Sequence, residues 1–309
     1  MISANRHDNI FPPLRAIGGA GTEARGRHGG AETAERAAAS GGKPRADRQT
    51  GKTGGSMVQT ENTAIVLRHV NYRDNDRIVT LFSPSRGRID AVIRNCRKPK
   101  SHNLNAGELF SLGDYMLAET GGRATVTSVH LIETFYPLRQ DYDRLTCGTY
   151  LLSLTEAVIE PEQERQELFM LLLHTLSRLS FSDQPWRPLL AGFLLHFAAC
   201  EGFRPRLNHC VFCGRRMEEE GPFFFASQEG GLCCGECRAA RKNRNLSGEK
   251  APEPLTAAQI RWMRAALRSG SASWTDFPDA QAPFSLLRRY VEARLGRRIR
   301  SGSMLPDGE

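Results

Sequence analysis

The sequence lacks any long apolar run. Its longest apolar stretches, such as Leu168–Leu173, are far shorter than the ~20 residues that a helix needs to cross a bilayer. The N-terminus also lacks an apolar segment of the signal-peptide type. We therefore expect a cytoplasmic protein that does not bind membranes.

The sequence also lacks the short motifs of common enzyme classes. It contains no serine nucleophile elbow, no HExxH helix and no glycine-rich dinucleotide loop. Asp74 and Asp76 could form an acid pair for metal-dependent nuclease chemistry, but aspartate is a common turn former. Because Arg73 and Arg77 also balance their charge, we favour a turn and predict no enzymatic activity and no catalytic residues.

Positive charge is present but unevenly distributed. The net charge is +8. Residues 64–100 contain nine lysines and arginines against three aspartates, whereas the chain after residue 100 sums to −1. A local concentration of positive charge favours a polyanion as the partner.

Residues 1–56 form a compositionally distinct segment. They are rich in glycine, alanine and arginine and have no large apolar residue after Ile17. Such a segment cannot bury enough surface to offset its chain entropy. We predict a disordered N-terminal extension here, for which an over-long gene model is a simple explanation, and a folded part that starts at Met57.

Residues 57–136 read as a small β-domain. Short apolar runs separated by turn sequences predict five strands, which are Ala64–Val70, Ile78–Phe82, Ile89–Ile93, Leu109–Glu119 and Arg123–Phe135. Gly87 and the Gly121-Gly122 pair suit tight turns. Five short strands with a basic loop predict a closed barrel of the oligonucleotide-binding (OB) type.

The basic residues of this barrel are the candidate DNA-binding residues. A charged sheet face and loop can follow a phosphate backbone. The predicted set is Arg73, Arg77, Arg88, Arg94, Arg97, Lys98 and Lys100. Tyr72, Phe82 and Tyr115 could stack on bases or belong to the core, and the sequence does not decide between these roles.

After Pro137 the apolar period changes to that of helices. The predicted helices are Tyr142–Glu160, Pro161–Leu179, Pro188–Glu201, Leu255–Arg268 and Phe284–Leu295. Pro161 suits a first helical turn, and Thr256 suits an N-cap. The fold class is therefore α+β multidomain, with a helical domain over 137–301, an irregular insert at 206–247 and a flexible tail at 302–309.

The insert contains the most specific motif of the chain. Cys210 and Cys213 form one CxxC knuckle, and Cys234 and Cys237 form a second about twenty residues later. Four thiolates at this spacing predict one structural Zn²⁺ per chain, although four reduced thiols without metal remain the simpler alternative. Cys233 or His209 could compete as a ligand, and the sequence leaves this open.

Arginines also cluster near the C-terminus. They are Arg288, Arg289, Arg294, Arg297, Arg298 and Arg300. They could extend a DNA surface, receive an acidic peptide tail, or form a solvated helix face. The sequence does not choose among these roles.

Several of these segments resemble the bacterial RecO family. Tyr72–Phe82, Arg86-Gly-Arg88 and Arg97–Ser101 look like the N-terminal domain of that family, and the cysteine pairs with Gly230-Gly231-Leu232 between them resemble its zinc knuckles. The order of barrel, helices, zinc insert and helices also fits. The resemblance covers about residues 57–295, whereas the N-terminal extension and Cys233 depart from the family pattern.

The resemblance implies a recombination mediator in DNA repair. Such a protein binds single- and double-stranded DNA, anneals complementary strands, and with RecR helps load RecA onto coated single-stranded DNA. It also binds the C-terminal tail of single-stranded-DNA-binding protein through the helical domain. The implied location is the nucleoid. The alternatives are a zinc-ribbon transcription or RNA-binding factor and, less favoured, the nuclease discussed above.

Overall fold

The structure is a computed structural model that describes residues 58–218, 221–242, 251–270, 274–275 and 283–306. The predicted N-terminal extension, residues 1–56, lies outside the described residues. The described chain begins with strands, continues with helices, and contains one insert of mixed structure.

Five strands close into a barrel. They are β1 (Val58–Tyr72), β2 (Asp76–Ser83), β3 (Gly87–Ile93), β4 (Leu112–Thr120) and β5 (Arg123–Glu133). Their order around the barrel is β1-β2-β3-β5-β4. The β3–β5 pair is parallel and closes the barrel, while the other pairs are antiparallel. The prediction of a five-stranded OB-type barrel is confirmed.

The barrel encloses its own apolar core. Val66, Val79, Ile93, Tyr115 and Leu117 belong to this core, because successive side chains of a strand point to opposite faces. Pairing between β1 and β2 shifts between Val66 and Arg68. Leu67 is the extra residue of this β-bulge, so Leu67 and Arg68 both point away from the barrel interior.

Three helices follow the barrel. They are α1 (Tyr142–Glu156), α2 (Gln166–Phe181) and α3 (Trp186–Cys200). The prediction that Pro161 opens a helix is wrong. Pro161 pairs with Gly87 in an isolated β-bridge, and α2 begins five residues later. No helix of the described residues could span a membrane.

The insert folds as a hairpin with a short helix. Strand β6 (Phe223–Ala226) pairs with β7 (Gly231–Cys234) in the segment between the knuckles. Helix α4 (Gly235–Lys242) and strand β8 (Glu253–Leu255) follow. The sequence did not predict either element, because each is short and carries little apolar periodicity.

Two helices complete the described chain. Helix α5 (Ala257–Ala266) starts with a capping box between Thr256 and Gln259, which confirms the predicted cap. Helix α6 (Phe284–Arg294) follows. The flexible tail predicted from residue 302 is wrong for its described part, since residues 300–304 form a 3₁₀ helix and Leu305 is buried.

One apolar core joins the barrel to the helices. Ile65, Leu67 and Phe82 point outward from the barrel and lie in the same core as α1, α2 and α3. The rings of Phe82 and Phe169 meet edge to face, with centroids 5.3 Å apart. The helices therefore cover one side of the barrel. The tip of the β1–β2 hairpin lies at the other end of these strands and remains exposed.

Candidate nucleic-acid interface and metal centre

The tip of the β1–β2 hairpin is bonded to the loop that follows β3. The Asn95 N–H donates to Oδ1 of Asp76 at 2.8 Å, and the Arg97 N–H donates to the Asn75 carbonyl at 3.2 Å. The Arg97 guanidinium also donates to the carbonyl of Asp74 at 3.2 Å. These bonds hold two basic segments together, and the Asp76 carboxylate makes the kind of local contact expected of a turn former.

Five cations surround this junction. They are Arg73, Arg94, Arg97, Lys98 and Lys100, and all five are exposed. Among the described residues, none of them has a carboxylate within ion-pair distance. Five unneutralised charges at one end of a barrel are able to bind phosphate groups.

Apolar side chains lie beside these cations on the outer barrel face. Val70 of β1 is directly opposite Ile78 of β2, which is opposite Val92 of β3. Val70 and Ile78 are exposed. Tyr72 follows on the same face, is 39% exposed, and has the Arg73 guanidinium 5.1 Å from its ring centroid. This row can contact bases while the cations contact phosphates.

We call this region the hairpin-end surface. It comprises Val70, Tyr72, Arg73, Ile78, Val92, Arg94, Arg97, Lys98 and Lys100. Phe82 and Tyr115, the other aromatic residues considered for stacking, are fully buried. Tyr72 is therefore the one of the three that can meet a ligand.

The structure separates Arg77 from this surface. Its position in the register opposite Asn71 turns it toward the barrel interior. There its guanidinium donates to the Gly107 carbonyl at 3.1 Å and pairs with Glu108 at 2.5 Å, and its side chain is only 14% exposed. Arg77 closes the end of the barrel and supports the loop.

Arg88 is also distant from the surface. It lies at the other end of β3, six residues or about 20 Å from Arg94, and pairs with Asp90 at 3.0 Å. Its neighbour Arg86 pairs with Glu119 and Glu162, and the hydrogen bond with Glu162, followed by that with Glu119, raises the pKa of Arg86. These two arginines belong to the junction between the barrel and the helical domain.

The four knuckle cysteines converge in the insert. The Sγ atoms of Cys210, Cys213, Cys234 and Cys237 all lie within 4.8 Å of one another. Two sulfurs bound to one Zn²⁺ at ~2.3 Å in a tetrahedron are ~3.8 Å apart. The Cys213 and Cys234 sulfurs are 3.8 Å apart, so the cluster fits a tetrahedral metal ion.

Backbone groups around the cluster favour a thiolate. Burial raises the pKa of Cys210, but hydrogen bonds from the N–H groups of Cys213, Cys234 and Phe212 outweigh it and lower that pKa to about 6. Cys233 instead bonds the Cys234 carbonyl, and burial raises its pKa to about 12. The cluster includes neither Cys233 nor His209, which answers the question that the sequence left open.

Sequence reasoning missed the apolar part of the hairpin-end surface. Charged and apolar residues alternate along β3, and Val92 is an apolar residue at a position where that alternation predicts a charged one. This break in the pattern is the signal that could have found the apolar row. The outward direction of Val70 was harder to predict. It follows from the bulge at Leu67, which exchanges the inward-facing and outward-facing positions along the rest of β1. No feature of the local sequence predicts this bulge.

Comparisons with known proteins cover both regions. The chain matches the family model described as Recombination protein O N terminal over residues 57–135, and that described as Recombination protein O C terminal over residues 139–303. The first match spans the barrel. The second spans the helices and the cysteine cluster.

Three relatives named DNA repair protein RecO illustrate the similarity. The protein of Anaeromyxobacter dehalogenans is 31% identical over 258 residues, which are 81% of this chain and 97% of the relative. A Synechococcus protein is 31% identical over 79% of this chain and 87% of its own length. The protein of Symbiobacterium thermophilum is 36% identical over 56% of this chain and 69% of its own.

Proposed function

The chain belongs to the RecO family of DNA repair and recombination proteins, and from that premise we propose that it is a recombination mediator. It binds single- and double-stranded DNA and anneals complementary strands. With RecR it helps load RecA onto DNA coated by single-stranded-DNA-binding protein, whose C-terminal tail it contacts through the helical domain. Because DNA is its ligand, we place it with the nucleoid.

The hairpin-end surface is the observation that carries this proposal. Its five cations lack carboxylate partners among the described residues, and its apolar row lies alongside them. Phosphates of a single strand bind the cations, and one or more bases contact Tyr72 and the row. Neither contact reads a base sequence, which suits a protein that must accept any strand.

Annealing on this surface needs no chemical step. Two strands repel each other through their phosphates, and bound cations reduce that repulsion. Contacts to phosphates leave the base edges of the strand free to pair. We therefore propose a binding activity without nucleotide hydrolysis.

The cysteine cluster has a structural role in this proposal. We propose that Cys210, Cys213, Cys234 and Cys237 hold one Zn²⁺. Four sulfur ligands leave no open coordination position, so the ion supplies rigidity to the insert and no catalysis. The fit of the sulfur distances to a tetrahedron supports this assignment.

An annealing assay tests the proposal. We expect the purified protein to accelerate pairing of complementary strands at low salt, and the double charge reversal Arg97→Glu/Lys98→Glu to slow this by at least about tenfold, since two phosphate contacts become repulsive. The control Arg297→Glu/Arg298→Glu makes the same charge change at exposed sites after α6 and leaves most of the acceleration.

Two results would contradict the proposal. One is a wild-type protein that fails to accelerate annealing at low salt. The other is tight selective binding to RNA or to one duplex sequence, which would favour the alternative of a transcription or RNA-binding factor. Mg²⁺-dependent loss of DNA that Asp76→Ala abolishes would instead revive the nuclease alternative.

A further inference from the structure

The four sulfurs of the cysteine cluster differ in their access to solvent. Cys213 is exposed, Cys237 is half-buried, and Cys210 and Cys234 are buried. Gly214, which follows Cys213 in the chain, is exposed as well. A small reagent in solution therefore reaches the Cys213 sulfur before the other three.

The exposed sulfur lies next to a buried one that belongs to the other knuckle. The Sγ atoms of Cys213 and Cys234 are 3.8 Å apart. A disulfide bond is ~2.05 Å long, so the two sulfurs need to approach each other by about 1.8 Å to form one. A rotation of the exposed Cys213 side chain can supply a movement of this size.

Hydrogen bonds outside the cluster hold the two knuckles together. The Val211 N–H donates to the Leu232 carbonyl at 2.8 Å, which ties the first knuckle to β7. The Arg215 guanidinium donates to both carboxylate oxygens of Glu236 in the second knuckle, at 2.8 and 2.9 Å. Neither contact involves a thiolate or a metal ion, so the exposed sulfur and its partner remain neighbours when the metal leaves.

We propose that the cysteine cluster is an oxidation site, at which hydrogen peroxide converts Cys213 and Cys234 to a disulfide and thereby releases the metal ion. This inference rests on the Zn²⁺ assignment of the proposed function and adds a reaction to it. Cys210 and Cys237 are then the remaining ligands, and two sulfurs do not close a tetrahedral site. The insert thus has two covalent states, in which either a metal ion or a disulfide joins its knuckles.

The reaction consists of two displacements at sulfur. The bound metal keeps the thiols deprotonated, and the thiolate is the form that reacts. The Cys213 sulfur attacks one peroxide oxygen, an S–O bond forms, the O–O bond breaks, and hydroxide leaves with the electron pair. The Cys234 thiolate then attacks the Cys213 sulfur, forms the S–S bond and displaces the second hydroxide. The two sulfurs lose two electrons, and the peroxide gains them and ends as two waters after protonation.

Release of Zn²⁺ from the full chain tests the role of Cys213. The Zn²⁺-loaded protein is treated with hydrogen peroxide, and a chromogenic chelator measures the metal released above the rate seen without peroxide. Cys213→His replaces the exposed sulfur by a nitrogen ligand, since sets of three cysteines and one histidine also hold structural zinc. We expect this variant to release its metal at least about tenfold more slowly than the wild type, because its remaining thiolates are less exposed.

Two variants serve as comparisons. Cys237→His makes the same exchange of sulfur for nitrogen but keeps the reacting pair, so it should release its metal clearly faster than Cys213→His. Cys233→Ala removes a fully buried thiol that lies outside the cluster. It should release its metal at the wild-type rate.

Peptide mass spectrometry of the oxidised wild type identifies the bond that forms. We expect one link between the peptides of Cys213 and Cys234, with the loss of two hydrogen atoms. A dithiol reductant with added Zn²⁺ should restore the original metal content. This map does not depend on whether the histidine variants hold zinc.

The inference and the proposed function fail differently. A wild-type protein without zinc overturns both the Zn²⁺ assignment and the inference. A wild type that keeps its zinc in peroxide, equal release rates in Cys213→His and Cys237→His, or a disulfide that includes Cys233 overturns the inference alone. A protein that forms the Cys213–Cys234 link and loses its zinc, but fails to anneal DNA, contradicts the annealing function and supports the oxidation site.

Discussion

Arg77 and Arg97 carry the same guanidinium group but have different surroundings. Both belong to the basic segment that the sequence identifies, and both were predicted to bind DNA. Arg77 faces the barrel interior and pairs with Glu108, whereas Arg97 is exposed and its guanidinium donates to a backbone carbonyl. Sequence composition predicts where charge accumulates, but the register of a strand decides which charges remain available to a ligand.

Tyr72 gives a direct test of base contact at the hairpin-end surface. We expect Tyr72→Ala to weaken binding of single-stranded DNA roughly tenfold, because stacking of one base on an aromatic ring contributes ~1–3 kcal/mol. Tyr72→Phe keeps the ring and should bind like the wild type. Fluorescence anisotropy measures both variants.

The matched control for Tyr72 is Tyr142→Ala, at an exposed tyrosine that begins α1. It should leave the affinity for DNA unchanged. Equal losses in Tyr72→Ala and Tyr142→Ala would show that no base stacks on Tyr72.

His196 predicts a dependence of stability on pH. It is buried, stacks on Trp274 with ring centroids 5.2 Å apart, and its Nε2 lies 2.9 Å from the Ala266 carbonyl. Burial is the main cause that lowers its pKa in the folded protein. The unfolded chain therefore binds a proton more readily, and the free energy of unfolding should decrease as the pH falls below about 6.5.

Urea unfolding at pH 7.5 and pH 5.5 measures this contribution. We expect His196→Phe, which keeps a ring against Trp274, to lose part of the difference in unfolding free energy between the two pH values. His102→Gln removes an exposed histidine and should keep that difference. An identical pH dependence in wild type and His196→Phe would contradict the assignment.

At the scale of elements, the strands of the barrel were easier to predict than the boundaries around them. Apolar runs and turn glycines located all five strands. The helix start predicted at Pro161 is wrong because a proline also suits an extended segment. Here Pro161 pairs with Gly87 across the two domains. That long-range pairing leaves no trace in the local sequence.

The cysteine knuckles predict a metal-dependent element. In Cys213→Ser we expect the zinc content to fall from about one ion per chain to near zero. The melting temperature should fall by roughly 5 °C or more, since a loss of about 2 kcal/mol has this effect in a chain of this size. Elemental analysis and a thermal melt provide the measurements.

Cys233→Ala is the control for Cys213→Ser. Cys233 is fully buried and adjoins Cys234, but its sulfur lies outside the cluster of the four knuckle cysteines. The variant should keep its zinc. A chelated wild-type protein that melts at the original temperature would contradict a structural role for the ion.

Two glycines separate the effect of a close contact from that of backbone conformation. Gly87 and Gly121 have φ of +64° and +57°, where an alanine costs ~1–2 kcal/mol. A Cβ at Gly87 would lie 2.3 Å from the Glu160 carbonyl oxygen, whereas a Cβ at Gly121 would meet nothing within 4 Å. We expect Gly87→Ala to lower the free energy of unfolding clearly more than Gly121→Ala in urea titrations, and equal losses would contradict the bridge between Gly87 and Pro161.

At the scale of the whole molecule, the uneven charge predicts a moderate dependence of DNA binding on salt. If the five free cations of the hairpin-end surface each contact one phosphate, the slope of log K against log salt for a single strand is about −3.5. A titration with a short oligothymidylate measures it. A slope near zero would mean that apolar contacts dominate, and the double variant Arg97→Ala/Lys98→Ala should reduce the slope by about 1.4.

The order of barrel, helices, cysteine-containing insert and helices could be predicted from the sequence, because each part has its own periodicity or cysteine spacing. The groove between the first cysteine knuckle and helix α5 could not be predicted. Its arginines come from residues 204–216 and 261–268, and they meet only because Arg264 bonds carbonyls of the knuckle. Contacts between distant segments depend on packing geometry, which composition and spacing do not encode.

The apolar core shared by the barrel and the helices limits which chimaeras of this protein and its relatives can fold. Ile65, Leu67 and Phe82 leave the barrel surface and enter the core of α1 to α3. A chimaera that takes only the barrel from a relative would place the relative's side chains against the helical core of this protein. Exchange of the barrel between family members should therefore succeed only when the contacting faces of α1 and α2 are transferred with it.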